Sequence, residues 1–132
     1  MEHIARQFGK SLDADDFEST KSLLSPDCQY YIGKETLIGP EAICHSYESN
    51  MLEGRKKLDQ LVWGDSQIEP INEQQFYVHF TDYLTHKGLK YTHRCQQRVS
   101  INKKGQIEQI EHIENKEEQQ KLNDFYKKVG LL

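Results

Sequence analysis

Between Phe76 and Ile101 apolar and polar residues take alternate positions, and Lys87-Gly88 divides the run into two arms. Side chains on a strand point to opposite faces in turn, so such a run builds a sheet with two unlike surfaces. A two-residue turn at Lys87-Gly88 pairs His86 with Leu89 and carries that pairing down both arms. One face then holds Phe76, Val78, Phe80, Asp82 and Leu84 against Tyr91, His93, Cys95, Gln97, Val99 and Ile101. The other holds Tyr77, His79, Thr81, Tyr83 and Thr85 against Lys90, Thr92, Arg94, Gln96, Arg98 and Ser100. A slip of one residue would mix the two sets, so the pattern itself specifies the register. That register sets Asp82 opposite His93 on an otherwise apolar face.

Elsewhere the periodicity is helical before it is extended. Ile4, Phe8 and Leu12 recur at helix spacing, and Asp15 with Glu18 forms a capping-box pattern for a second helix carrying Phe17, Leu23 and Leu24. That helix is expected to stop at Ser25-Pro26-Asp27, ahead of a short strand over 28–32. Gly39-Pro40 opens a third helix, lined on one face by Ile43, Tyr47 and Met51, with Gly54 as its stop. From residue 57 strands take over: 58–71 with a break at Gly64-Asp65, then the hairpin, then 107–114 after a turn at Asn102–Gly105. A last helix spans 117–129 and presents Leu122, Phe125 and Val129. At 132 residues this is one domain, 1–132, of the α+β class, with three helices in its N-terminal half covering a curved, mainly antiparallel sheet and a short C-terminal helix.

Composition excludes several classes of function. The net charge of −4 argues against a general nucleic-acid binder, and Arg55-Lys56-Lys57 and Lys103-Lys104 read as solvated loop clusters. No apolar run is long enough to cross a bilayer, and the first residues lack a signal-peptide core. Cys28, Cys44 and Cys95 form no CxxC pair, and an odd number of thiols points to a reducing, cytoplasmic setting. There is no GxSxG, P-loop or GxGxxG, so no phosphate or dinucleotide cofactor is expected. Asp82, His93 and Cys95 share a face and include metal-ligating types, yet nothing around them completes a metal pattern, and none is expected.

Four stretches carry a family resemblance: Leu23-Leu24-Ser25-Pro26-Asp27, Gly39-Pro40-Glu41-Ala42-Ile43, Gly105-Gln106-Ile107 and Tyr126-Lys127-Lys128-Val129-Gly130-Leu131. Through them the whole chain resembles the nuclear transport factor 2-like superfamily, and within it the SnoaL-like cyclases and the ketosteroid isomerases. The resemblance implies a cone-shaped α+β roll with a cavity between sheet and helices, and a homodimer formed through the outer sheet face. It does not bring the isomerase residues with it. The position of that family's carboxylate base holds Tyr30, the position of its protonated acid holds Gln97, and its tyrosine falls near Phe8.

What remains as candidate chemistry is Asp82 with His93, the aspartate orienting an imidazole that moves a proton. Read more plainly, the two are a satisfied cross-strand pair. Tyr30, Tyr47, Trp63, Phe80, Gln97 and His112 are candidate ligand-binding residues, and equally ordinary core. His112 faces the cavity only if the last strand presents its even positions; a three-residue turn ending at Gly105 would present Ile107, Gln109, Glu111 and Ile113 instead. On the outer face Tyr77, His79 and Tyr83 beside Arg94 and Arg98 have the mixture enriched at protein interfaces. The expected partners are a small apolar or polyketide-like molecule and a second copy of the chain, with no nucleic acid and no membrane. The chemistry implied is isomerisation, dehydration or cyclisation, and the alternative is a non-catalytic ligand-binding or dimerisation module.

Overall fold

The computed structural model describes all residues 1–132. Its elements follow in the order α1 (Glu2–Asp13), α2 (Phe17–Leu23), β1 (Leu24–Ile32), β2 (Glu35–Ile38), α3 (Pro40–Lys57), β3 (Gln60–Trp63), β4 (Gln67–Pro70), β5 (Gln75–His86), β6 (Leu89–Ile101), β7 (Ile107–Ile113) and α4 (Lys116–Lys128). The β5–β6 hairpin has the register read from the alternation, from His86 opposite Leu89 to Phe76 opposite Val99, with Asp82 opposite His93. Lys87 and Gly88 have φ of 50° and 77°. Two left-handed residues in succession make the turn whose twist matches the flanking strands.

The strands form one sheet in the order β2-β1-β7-β6-β5-β3, with β4 also on β5. Only β1 and β7 run parallel; the other pairs are antiparallel. The helices cover the inner face of this curved sheet, giving the expected α+β roll. The main core gathers Phe8, Ile43, Val78, Val99, Ile101, Ile107 and Ile110. A second, smaller core under α4 joins Leu58, Leu84, Phe125 and Val129.

Several local expectations are corrected. The cap of α2 is Asp16, which accepts from the Ser19 amide at 3.2 Å and the Ser19 hydroxyl at 2.6 Å. Asp15 instead turns the chain at φ 56° and accepts from Arg55 Nη1 at 2.7 Å and Trp63 Nε1 at 2.8 Å. Leu24 and Ser25-Pro26-Asp27 belong to β1, because proline denies the preceding residue a helical conformation and Leu24 pairs with Ile107. β2 was not expected at all. Gly54 lies inside α3, which runs on to Lys57, so Arg55-Lys56-Lys57 form the last helical turn rather than a loop. The glycine serves a close approach: a Cβ there would stand 2.7 Å from Leu61 Cδ2.

The last strand reconciles its two possible faces. Ile101 pairs with Ile107, but Ser100 pairs with Gln109, so one extra residue bulges in β7 at Glu108. Ile107 is buried before the bulge, and Ile110, opposite Val99, is buried after it. Beyond it the even positions continue on the inner face, and His112 stands opposite Gln97.

Gly9 marks where α1 lies tightest against the sheet. A Cβ there would collide with the Ser66 hydroxyl and reach Val78 Cγ1 at 3.3 Å. Ser66 cannot swing aside freely, since its amide and hydroxyl both donate to Asp13 at 2.8 Å. Gly9→Ala is therefore expected to lower stability by about 1–3 kcal/mol, overpacking outweighing the gain in helix propensity. Denaturant unfolding checks this, and Ser66→Ala in the same chain should recover part of the loss.

Candidate functional site

β6 is longer than its neighbour on one side. The β6–β7 ladder ends where Gln96 meets Ile113, so residues 89–95 of β6 pair with β5 alone. The chain leaves β7 through Glu114 and Asn115 and returns as α4 along this unpaired stretch. Between them opens a cavity of about 900 Å³. Its inner wall holds Ile32, Phe80, His93, Cys95, His112 and Glu118, and its rim includes His79, Arg94, Gln96 and Lys116.

Three side chains converge on Glu118. Its amide donates to Asn115 Oδ1 at 3.1 Å, which seats the carboxylate at the first turn of α4. The carboxylate takes His93 Nδ1 at 3.1 Å and accepts from the Tyr91 hydroxyl. Burial alone would push the Glu118 carboxyl up, but the bonds from Tyr91 and His93 outweigh it and hold the group below its ordinary range. Glu118 is thus an acceptor-only carboxylate, so the contact calls for a proton on His93 Nδ1, and a neutral His93 would keep its lone pair on Nε2. Tyr91 also stacks on Phe125 with ring centroids 5.5 Å apart, which ties the same strand to α4.

Asp82 lies beside His93 but does not hold it. No hydrogen bond stabilises its carboxylate; burial pushes it up to about 6, the His93 charge opposes this, and Asp13 adds to it. It stands behind the cavity wall, one strand further in than His93. His112 Nδ1 is buried without a partner, and burial followed by the nearby His93 charge pushes that imidazole toward its neutral form. Cys95 is pushed up to about 12 by burial and then by Asp82 and Glu118, so it remains a thiol rather than a nucleophile.

The other candidate ligand residues divide. Phe80 and His112 line the cavity. Tyr30, Gln97 and Tyr47 close on one another: Tyr47 donates to Gln97 Oε1 at 2.6 Å and Gln97 Nε2 to the Tyr30 hydroxyl at 2.9 Å. The two tyrosine rings stack 5.3 Å apart. Three neutral groups here satisfy one another, and none of them is an acid or a base. Trp63 pairs across the sheet with Asp82, but its indole is committed to Asp15 and lies under Arg55. No three His, Cys, Asp or Glu side chains are grouped to hold a metal ion. Sequence reasoning missed Glu118 and Tyr91. The available signal was Asn115 three residues ahead of Glu118, a helix-start pattern whose glutamate is free to look elsewhere.

No protein-family model and no curated protein sequence matches the chain. Solved structures do match it over most of its length. A candidate polyketide cyclase from Xanthomonas campestris pv. campestris is 12% identical, with 89% of this chain and 92% of that one covered at a TM-score of 0.65. TerC, co-crystallised with polyporic acid, is 14% identical, with 91% and 95% covered at 0.69. A Mycobacterium tuberculosis protein in complex with estradiol-17β-hemisuccinate is 17% identical, with 85% and 91% covered at 0.63. The chain has the fold of these structures, the nuclear transport factor 2-like α+β roll.

The raised Asp82 has a testable sign. Between its ordinary value of 3.8 and about 6 the folded chain holds that proton more tightly than the unfolded chain. Stability from this group is therefore greatest below that window, falls as pH rises through it, and stays reduced above about 6. Asp82→Asn cannot ionise and escapes the penalty. Denaturant unfolding at stepped pH should show the variant gaining on the wild type by up to about 3 kcal/mol across the window. A variant that instead loses ground as pH rises would make Asp82 a structural partner of His93.

Proposed function

We propose that this protein binds a small, largely apolar molecule of polyketide-like character in the cavity beside β6, and that His93 moves a proton on it. The observation that carries the reading is His93 itself: it lines the cavity, and its Nε2 is free while Nδ1 is held by Glu118. Phe80, Ile32 and Cys95 supply apolar wall around it. Neighbours of the same fold hold polyporic acid and a steroid hemisuccinate, which supports a ligand of that size.

The proposed chemistry starts with a ligand carrying a C–H bond next to a carbonyl. His93 Nε2 takes that proton, and the electron pair moves onto the carbonyl oxygen as an enolate. The Asp82 carboxylate, close behind, offsets the charge of the imidazolium that forms. Return of the proton at another carbon is isomerisation, loss of a neighbouring hydroxyl as water is dehydration, and attack on a second carbonyl is cyclisation. No cofactor enters these steps. A non-catalytic binding role is the second reading, favoured by the Tyr30–Gln97–Tyr47 chain, which leaves no acid deeper in the fold.

Two probes separate these readings. Polyporic acid and estradiol-17β-hemisuccinate, titrated by NMR, should shift Phe80, His93, Cys95 and His112 saturably, and Cys95→Trp should abolish the effect by filling the cavity. Failure of both ligands to perturb these residues removes the cavity reading. In D2O, 2-tetralone should exchange its acidic C–H faster with the protein than without it, and His93→Gln should lose about 100-fold of that rate or more. Binding with no acceleration selects the non-catalytic role.

We propose also that the chain forms a homodimer through the outer sheet face. Val62 and Tyr83 are cross-strand partners there, exposed by 44% and 48%, an apolar pair on a polar surface. Sedimentation equilibrium should give about twice the 15.5 kDa chain mass, and Val62→Lys with Tyr83→Lys should return the monomer. The three free thiols support a cytoplasmic setting.

A further inference from the structure

We infer that Glu118 is a positioning residue for His93, and that the docked C-terminal helix is thereby a working part of the site. The inference rests on His93 as the group that moves the proton, and adds what makes it able to do so.

A neutral imidazole can carry its proton on either nitrogen, and only the nitrogen without it can act as a base. On β6 alone nothing selects between them, because Asp82 makes no hydrogen bond to the ring. The selecting group arrives from another element. Asn115 caps the helix by accepting from the Glu118 amide at 3.1 Å, Phe125 stacks on Tyr91, and the smaller core with Leu58, Leu84 and Val129 holds the helix down. With the helix seated, Glu118 reaches His93 Nδ1 at 3.1 Å and takes a second bond from Tyr91. The carboxylate and the imidazole are both mostly buried, with side-chain exposures of 18% and 16%. With both groups mostly buried, an acceptor-only carboxylate disfavours the other tautomer, which would aim a lone pair at it.

Tyr91 has a different task. Its hydroxyl satisfies Glu118 without touching His93 through a hydrogen bond, so it steadies the carboxylate and does not choose the tautomer. Removing Tyr91 and removing Glu118 therefore have separable consequences.

The test is 15N NMR of histidine-labelled protein near pH 8, where imidazoles are generally neutral. The wild type should show His93 as a single Nδ1–H tautomer, a result independent of any variant folding. Tyr91→Phe should keep that tautomer. Glu118→Leu should lose it, giving a mixture of Nδ1–H and Nε2–H forms, with amide exchange in α4 showing whether the helix stays docked. A wild type with its proton on Nε2 overturns the inference, as does a Glu118→Leu protein that keeps the Nδ1–H form. These outcomes are distinct from those of the proposed function: ligands can fail to bind while the tautomer is as expected, and ligands can bind while Glu118 proves indifferent.

Discussion

The β5–β6 ladder governs the rest of the molecule. Twelve residue pairs run from the Lys87-Gly88 turn to Gln75 and Ser100; β7 joins this pair at one edge and β3 and β4 at the other, with β1 and β2 beyond β7. Because side-chain direction alternates strictly along a strand, the register at the turn decides at once which residues are core and which are surface. It places Phe76, Val78 and Val99 under α1, and Leu84 with Tyr91 under α4. It also decides that Asp82, His93 and Gln97 point inward, where burial gives each polar group a consequence it would not have in water.

Those three groups meet different fates. Gln97 is satisfied by Tyr30 and Tyr47 and behaves as a polar brace of the main core. His93 is satisfied on one nitrogen by Glu118 and keeps the other for the cavity. Asp82 has no hydrogen-bonding partner, and its carboxyl stays protonated well above the ordinary carboxylate range. A hydrogen-bonded group adds stability and a buried unpaired one subtracts it, so the site grades from structural to costly over a few residues. The costly end lies beside the open end of the sheet, where β7 stops short of β6.

Much of this fold was legible in the sequence because alternation and turn chemistry act locally. The hairpin register, the helical faces of Ile43 and Phe125 and the pairing of Asp82 with His93 all follow from residues near in sequence. The misreadings came from tertiary contacts. Gly54 resembles a helix stop, yet it answers to Leu61, and Asp15 resembles a cap, yet it answers to Arg55 and Trp63. Glu118 was missed for the same reason. Its value lies in a strand 25 residues away, and its own neighbourhood, with Asn115 three residues ahead, speaks only of a helix start. Residues that turn away from their local pattern toward a distant partner are where sequence reading runs short.

The bulge at Glu108 makes the last strand a phase shifter. Ile107 and Ile110 are an odd number of positions apart, yet both are buried, since one surplus residue rotates everything after it by half a turn. Pleating Glu108 into the ladder, with no residue set aside, would leave composition, length and hydrophobicity untouched. It would also shift the pairing by one residue, setting Glu111 opposite Gln97 on the interior and sending His112 outward, exchanging a neutral ring for a carboxylate in the wall beside His93. A chain of this fold can therefore change the polarity of its cavity by losing one bulge, at a site remote from the chemistry, without any substitution in the pocket.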